Sequence, residues 1–167
     1  MNQKNNNINL NEPEIDYAAK AKELFFQGYN CAQAVFCAFA DKYGLDVSIS
    51  YRISSSFGGG MGRMREVCGS VSGMFMAAGL IYGYDISDEK TAKAEHYKLI
   101  QFLAEEFKKR NEKHSIICRE ILDIGDKKES YVPEERTAEY YQRRPCADRV
   151  YDAADILSEY IMKNKPV

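Results

Sequence analysis

No C-x-x-C pair occurs in this sequence, although it holds five cysteines. That absence argues against a zinc knuckle or ribbon and a thioredoxin-like pair, and without C-x-x-C-H there is no c-type haem attachment. A charge excess is missing too: 23 Lys and Arg against 25 Asp and Glu leave a formal charge of −2. No basic field is available to drive phosphate-backbone binding, so nucleic acid is not an expected partner. Long hydrophobic runs are also lacking. The stretch from Val71 to Tyr82 is interrupted by Ser72, Gly73 and Gly79 and is too short to span a bilayer, so no membrane partner is expected. Residues 1–14 are Asn-rich and carry no basic region with an apolar run and no cleavage site, which gives no sign of export. The expected location is a reducing cytoplasm, where cysteines are catalytic, redox-sensing, metal-binding or buried rather than a permanent disulfide framework.

At 167 residues the chain can bury about 70% of its unfolded surface in one core and needs no disulfide to fold. No segment alternates with period two, which predicts an all-α fold: a compact single-domain bundle of about six or seven helices with a glycine-rich loop. Residues 1–14 read as a disordered or loosely ordered polar leader, and 15–167 as the helical domain. Ile15 to Gln27 carries Ala18, Ala21 and Phe25 at helical spacing and stops at Gly28. Asn30 caps a second helix from Cys31, and a third covers Ser50 to Phe57. Gly58 to Gly62 forms a permissive loop, followed by a helix of small residues from about Arg65 to Tyr82. Ser87 opens the longest helix, striped by Ala92, His96, Leu99, Leu103 and Phe107 down to Lys108-Lys109-Arg110. Ser115 caps a short helix from Ile116 to Leu122, and Gly125 to Glu135 is a charged loop. Pro145 opens a final helix with Cys146, Val150, Ala153, Ala154, Leu157 and Ile161 on one face.

Cys31, Cys68, Cys118 and Cys146 thus each fall at the start of a helix, where free N–H groups and the macrodipole favour a thiolate by about 0.3–1 kcal/mol. Thiolates attack disulfides and bind metals. Cys37 lies about 120° around its helix from Cys31 and faces elsewhere. The competing explanation is that the cysteines pack as small hydrophobes. Gly58 to Gly62 fails as a phosphate cradle, because no Lys-Ser/Thr follows and no strand precedes it. It is a hinge for close packing or, with Gly59, Gly60 and Gly62 beside a bound group, a loop giving Cys68 access to a ligand. Arg63 and Arg65 would then hold Cys68 as a thiolate, making it the attacking sulfur. The thin helix of Gly69, Ser70, Ser72, Gly73, Ala77 and Ala78 serves close packing or leaves room for a cofactor. His96 reads as a satisfied core histidine and His114 as solvated. Arg143-Arg144 reads as an exposed pair that could lower the pKa of Cys146.

Four segments carry a resemblance: Gly28-Tyr29-Asn30-Cys31-Ala32-Gln33-Ala34-Val35, Phe57 to Gly62 leading to Val67-Cys68-Gly69-Ser70-Val71-Ser72-Gly73, Cys118-Arg119-Glu120-Ile121-Leu122, and Pro145-Cys146. In this order they resemble the family of redox-active proteins named for a C_GCAxxG_C_C cysteine pattern, over roughly Ala18 to Tyr160. The resemblance implies a compact helical domain related to the helical part of split-Soret cytochromes. It also implies redox work or an iron–sulfur centre at Cys31, Cys68, Cys118 and Cys146. The literal GCAxxG string is absent, and so is a haem-binding segment. Three functions stay open: a thiol-dependent oxidoreductase cycling dithiol and disulfide, a module binding iron–sulfur or another soft metal by four cysteines, and a structural helical interaction domain. The redox partner and any homo-oligomer are likewise open.

Overall fold

The computed structural model describes residues 15–85, 90–126 and 129–166. The polar leader and the helix start expected at Ser87 lie outside them. Helices dominate: α1 (Tyr17–Phe26), α2 (Cys31–Ala40), α3 (Val47–Ser54), a single turn α4 (Gly58–Met61), α5 (Gly69–Tyr82), α6 (Lys90–Lys109), α7 (Cys118–Ile121), α8 (Ala138–Arg143) and α9 (Cys146–Lys163). Six of these have eight or more residues, which agrees with the expected all-α bundle.

Side-chain caps set several starts. Asp16 accepts from the Ala19 amide at 2.9 Å to open α1, and Asp46 accepts from the Ile49 amide at 2.9 Å to open α3. That cap starts α3 three residues before the expected Ser50, and a 3-10 turn, Ser55–Phe57, continues it. Ser115 accepts from the Ile117 amide at 2.9 Å and α7 follows at Cys118. α8 is capped by Thr137 and buries none of its residues, so no apolar stripe predicts it.

The core is centred on α2, whose residues other than Cys31 and Gln33 are all buried. A helix apolar on every side must be covered on every side; here α1, α3, α5 and α9 cover it. Gly73 permits the contact with α5, because a Cβ there would lie 2.6 Å from the Ala32 carbonyl oxygen. Close packing thereby explains Gly73 on α5. Phe25, Phe39 and Phe107 are fully buried or nearly so, each worth about 1.5–3 kcal/mol. On α9, Val150, Ala153, Ala154 and Leu157 face the core as expected. His96 departs from expectation: it is half-buried against the Tyr84 ring, and its Nδ1 is buried without a partner. Among the described residues no helix is long and apolar enough to cross a membrane.

Candidate functional site

Three local backbone devices position the four helix-start cysteines. Cys31 follows Asn30, whose side chain accepts from the Ala32 and Gln33 amides at 3.0 Å each while Gln33 accepts from the Asn30 amide at 3.0 Å. This reciprocal box closes the first turn of α2. Cys68 is the N-cap of α5. Its amide donates to the Ile116 carbonyl at 2.8 Å, and the Cys118 amide donates to the Glu66 carbonyl at 2.6 Å. These bonds flank an isolated antiparallel bridge between Val67 and Ile117. Side chains alternate across extended backbone, so Cys68 and Cys118 share one face of the bridge. The bridge also explains why α5 begins at Gly69 and not at Arg65. Cys146 opens α9 directly after Pro145.

Cys31, Cys68, Cys118 and Cys146 all line one cavity of about 50 Å³. Cys68 and Cys118 are buried, while Cys31 and Cys146 are half-buried. A Cβ on Gly69 would lie 2.4 Å from the Cys31 sulfur, so that sulfur rests on the first turn of α5 beside Cys68. Cys37 stays apart, buried with its sulfur 3.9 Å from the Ser54 hydroxyl. Of the glycines, Gly59 lines the cavity. Gly60, at φ +71°, lies behind Cys118, whose Cβ would be 2.6 Å from a side chain placed there, and Gly62 meets only the Ser56 carbonyl at 3.8 Å.

Arginines are the part of the site that motif reading places least well. Arg63 and Arg65 were expected beside Cys68, yet Arg63 donates to the Ser130 carbonyl at 2.9 Å and Arg65 turns to Cys118, with Nη1 3.8 Å from its sulfur. The physical reason is backbone: Arg63 and Arg65 are both left-handed, at φ +65° and +62°, which re-aims each side chain. Arg65 also pairs through Nε with Glu129. Arg143 is exposed as expected, but the Arg144 side chain is only 10% exposed, pairs with Glu134 and lines the cavity. Arg136 and Arg149 line it too. Arg149 was legible as the residue one turn after Cys146; Arg136 sits in a loop and has no spacing signal.

Burial decides the protonation of the sulfurs. It pushes the Cys68 thiol well up, reinforced by the neighbouring Cys31, Cys118 and Cys146. Cys118 is raised by burial and by Cys31, against the pull of Arg65 and Arg144. Cys146 is pushed up to about 12, again by burial first, with Arg144 and Arg136 opposing. The expectation of thiolates at these helix starts is therefore overturned for these three: a dipole effect of about 0.3–1 kcal/mol does not offset desolvation in a closed site. Cys37 rises to about 11 by burial. Thiols this buried are poor nucleophiles; a metal, which binds the sulfur only once its proton has left, would ionise them.

Among the described residues no three His, Cys, Asp or Glu side chains are grouped to hold a metal ion. Comparison with the curated proteins and with the solved structures found no match. A family model does match, over residues 29–160, and its description is "Putative redox-active protein (C_GCAxxG_C_C)". Since that span takes in most of the chain and all four cavity cysteines, this protein belongs to the C_GCAxxG_C_C family.

Proposed function

We propose that the protein is a redox carrier in which Cys31, Cys68, Cys118 and Cys146 together hold a thiolate-ligated iron–sulfur centre. One observation carries the reading: four cysteines far apart in sequence border a single cavity. Four-cysteine coordination is the ligand set of such centres. Four cysteines lining one cavity without a group of three placed for one ion suit a polynuclear group better than a single ion, and buried Arg65 with half-buried Arg136, Arg144 and Arg149 supplies positive charge against the thiolates. When bound, the group exchanges single electrons. The chain's own residues give up four thiol protons on loading, exclude water by burial and, through Arg65 Nη1, donate a hydrogen bond to the Cys118 sulfur.

Anaerobic purification with an absorption spectrum, iron and sulfide analysis and a thiol count tests this on one sample. Visible charge-transfer bands, iron and four protected thiols are expected. Serine at any one of the four positions should remove the iron, whereas Cys37→Ser should retain it. Colourless, iron-free protein with a reducible disulfide would overturn the reading.

A second reading rests on the Cys31 sulfur lying over the first turn of α5 beside Cys68. In it these two thiols are oxidised to a disulfide while a partner's disulfide is reduced to two thiols. Loss of reductase activity in Cys31→Ser and Cys68→Ser but not in Cys118→Ser and Cys146→Ser would select it.

A further inference from the structure

Among the described residues, six buried side-chain nitrogen or oxygen atoms lack a hydrogen-bond or ion-pair partner: Arg65 Nη2, Ser70 Oγ, Arg136 Nη1, Arg144 Nε, Arg149 Nε and His96 Nδ1. The first five belong to residues that line the cysteine cavity. Such atoms are costly to leave unpaired, charged ones most of all. Five around one small space point to an occupant that accepts what they donate.

Each of these arginines is anchored through one or two nitrogens and leaves another without a partner. Arg65 is held by Glu129 and touches the Cys118 sulfur, while its Nη2 is unpartnered. Arg144 pairs with Glu134 through Nη2, leaving Nε. Arg149 donates from Nη1 to the Arg110 carbonyl at 3.1 Å and has Nη2 2.9 Å from Asp152, again leaving Nε. Arg136 donates from Nη2 to the Tyr29 carbonyl at 3.4 Å and lies 4.5 Å over the Phe25 ring, leaving Nη1. Guanidinium groups fixed in this way have paid most of the ordering cost of binding in advance. The cavity also receives the N-terminal ends of three long helices, α2, α5 and α9, through Cys31, Cys68 and Cys146. Their dipoles add positive potential of the same sign.

We infer that the cavity is an anion site, in which Arg65, Arg136, Arg144, Arg149 and Ser70 donate hydrogen bonds to a compact, negatively charged occupant. This deepens the four-cysteine reading, on which the thiolate-bound centre is that anion; the same donors would serve a free inorganic oxyanion.

Inorganic sulfate is the probe, compared with chloride at constant ionic strength. Metal-free, reduced, full-length protein should show saturable thermal stabilisation by sulfate. Arg144→Gln and Arg149→Gln should weaken it at least tenfold, and exposed Arg143→Gln should not change it. Ser70→Ala, which alters no charge, should weaken it severalfold and keeps the test open should an arginine variant fail to fold. Iron-loaded protein that no longer responds to sulfate identifies the centre as the occupant. An unchanged response in loaded protein, still lost in the arginine variants, assigns the site to a free oxyanion. Sulfate binding through these residues in protein that never takes up iron would leave the anion site standing while the four-cysteine centre fell. A wild-type protein indifferent to sulfate, or a response untouched by Arg144→Gln, Arg149→Gln and Ser70→Ala, would overturn the inference.

Discussion

A methyl group at Gly69 would collide with the Cys31 sulfur at 2.4 Å and with the Phe57 carbonyl at 3.0 Å. The second of these is backbone and cannot rotate away. Gly69→Ala should therefore cost about 1–3 kcal/mol in urea unfolding, as overpacked sites do, and should lower iron content by displacing Cys31. Cys37→Ala is the contrast. Its sulfur contacts Ser54 and not the cavity, so the variant should keep full iron loading and lose only about 1 kcal/mol of stability. At this scale the sequence separated the four cavity-lining cysteines from Cys37: helical phase sets Cys37 apart from Cys31, and motif order marks the other three. It misplaced Arg65, because motif spacing carries no record of a left-handed backbone, and it missed Arg136, whose role depends on stacking over Phe25 from a distant loop.

Among the elements, α2 is the most readable at its start, which Asn30 announces, whereas its burial on nearly every side and the reciprocal bond from Gln33 appear only in the fold. Asn30→Ala removes the capping box and the 2.9 Å bond to the Ser55 carbonyl. Loss of the cap should lower stability by about 1 kcal/mol in denaturant, with faster amide exchange in the first turn of α2. α8 and the Val67–Ile117 bridge escape sequence reading for opposite reasons. The first buries nothing, and the second is a single residue pair, too short for any alternation. Residues 129–136 are tied to the site by Glu129 and Glu134. Burial raises the Glu129 carboxyl, but the hydrogen bond and charge of Arg65 outweigh it and hold the group below the ordinary carboxylate range. A carboxyl depressed in the folded state contributes stability above its unfolded pKa and loses it as pH falls through the folded one. Between about pH 6 and pH 3, wild-type protein should thus lose more unfolding free energy than Glu129→Gln, by acid-range urea titration.

For the whole molecule, the site is a junction of four helix starts, so whatever occupies it binds the native state and ties α2, α5, α7 and α9 together. Binding to the folded state alone raises apparent stability. Removing iron with a chelator should lower the melting temperature and deprotect the first turns of all four helices together in hydrogen exchange; in Cys37→Ser the drop should be the same size. The convergence itself was not legible, because long sequence separations fix no distance between sulfurs. It follows from α2 being enclosed by α1, α5 and α9, which is a property of packing.

Cys146 stands at the head of α9, the helix that packs on α1, α2, α5 and α6. The same packing that seats α9 on the core places Cys146 at the cavity. On the four-cysteine reading, a molecule whose α9 is undocked would offer three ligands at most. Acceptance of such an occupant would thereby act as an inspection of the finished fold, passing only chains in which α1 and α9 have already met.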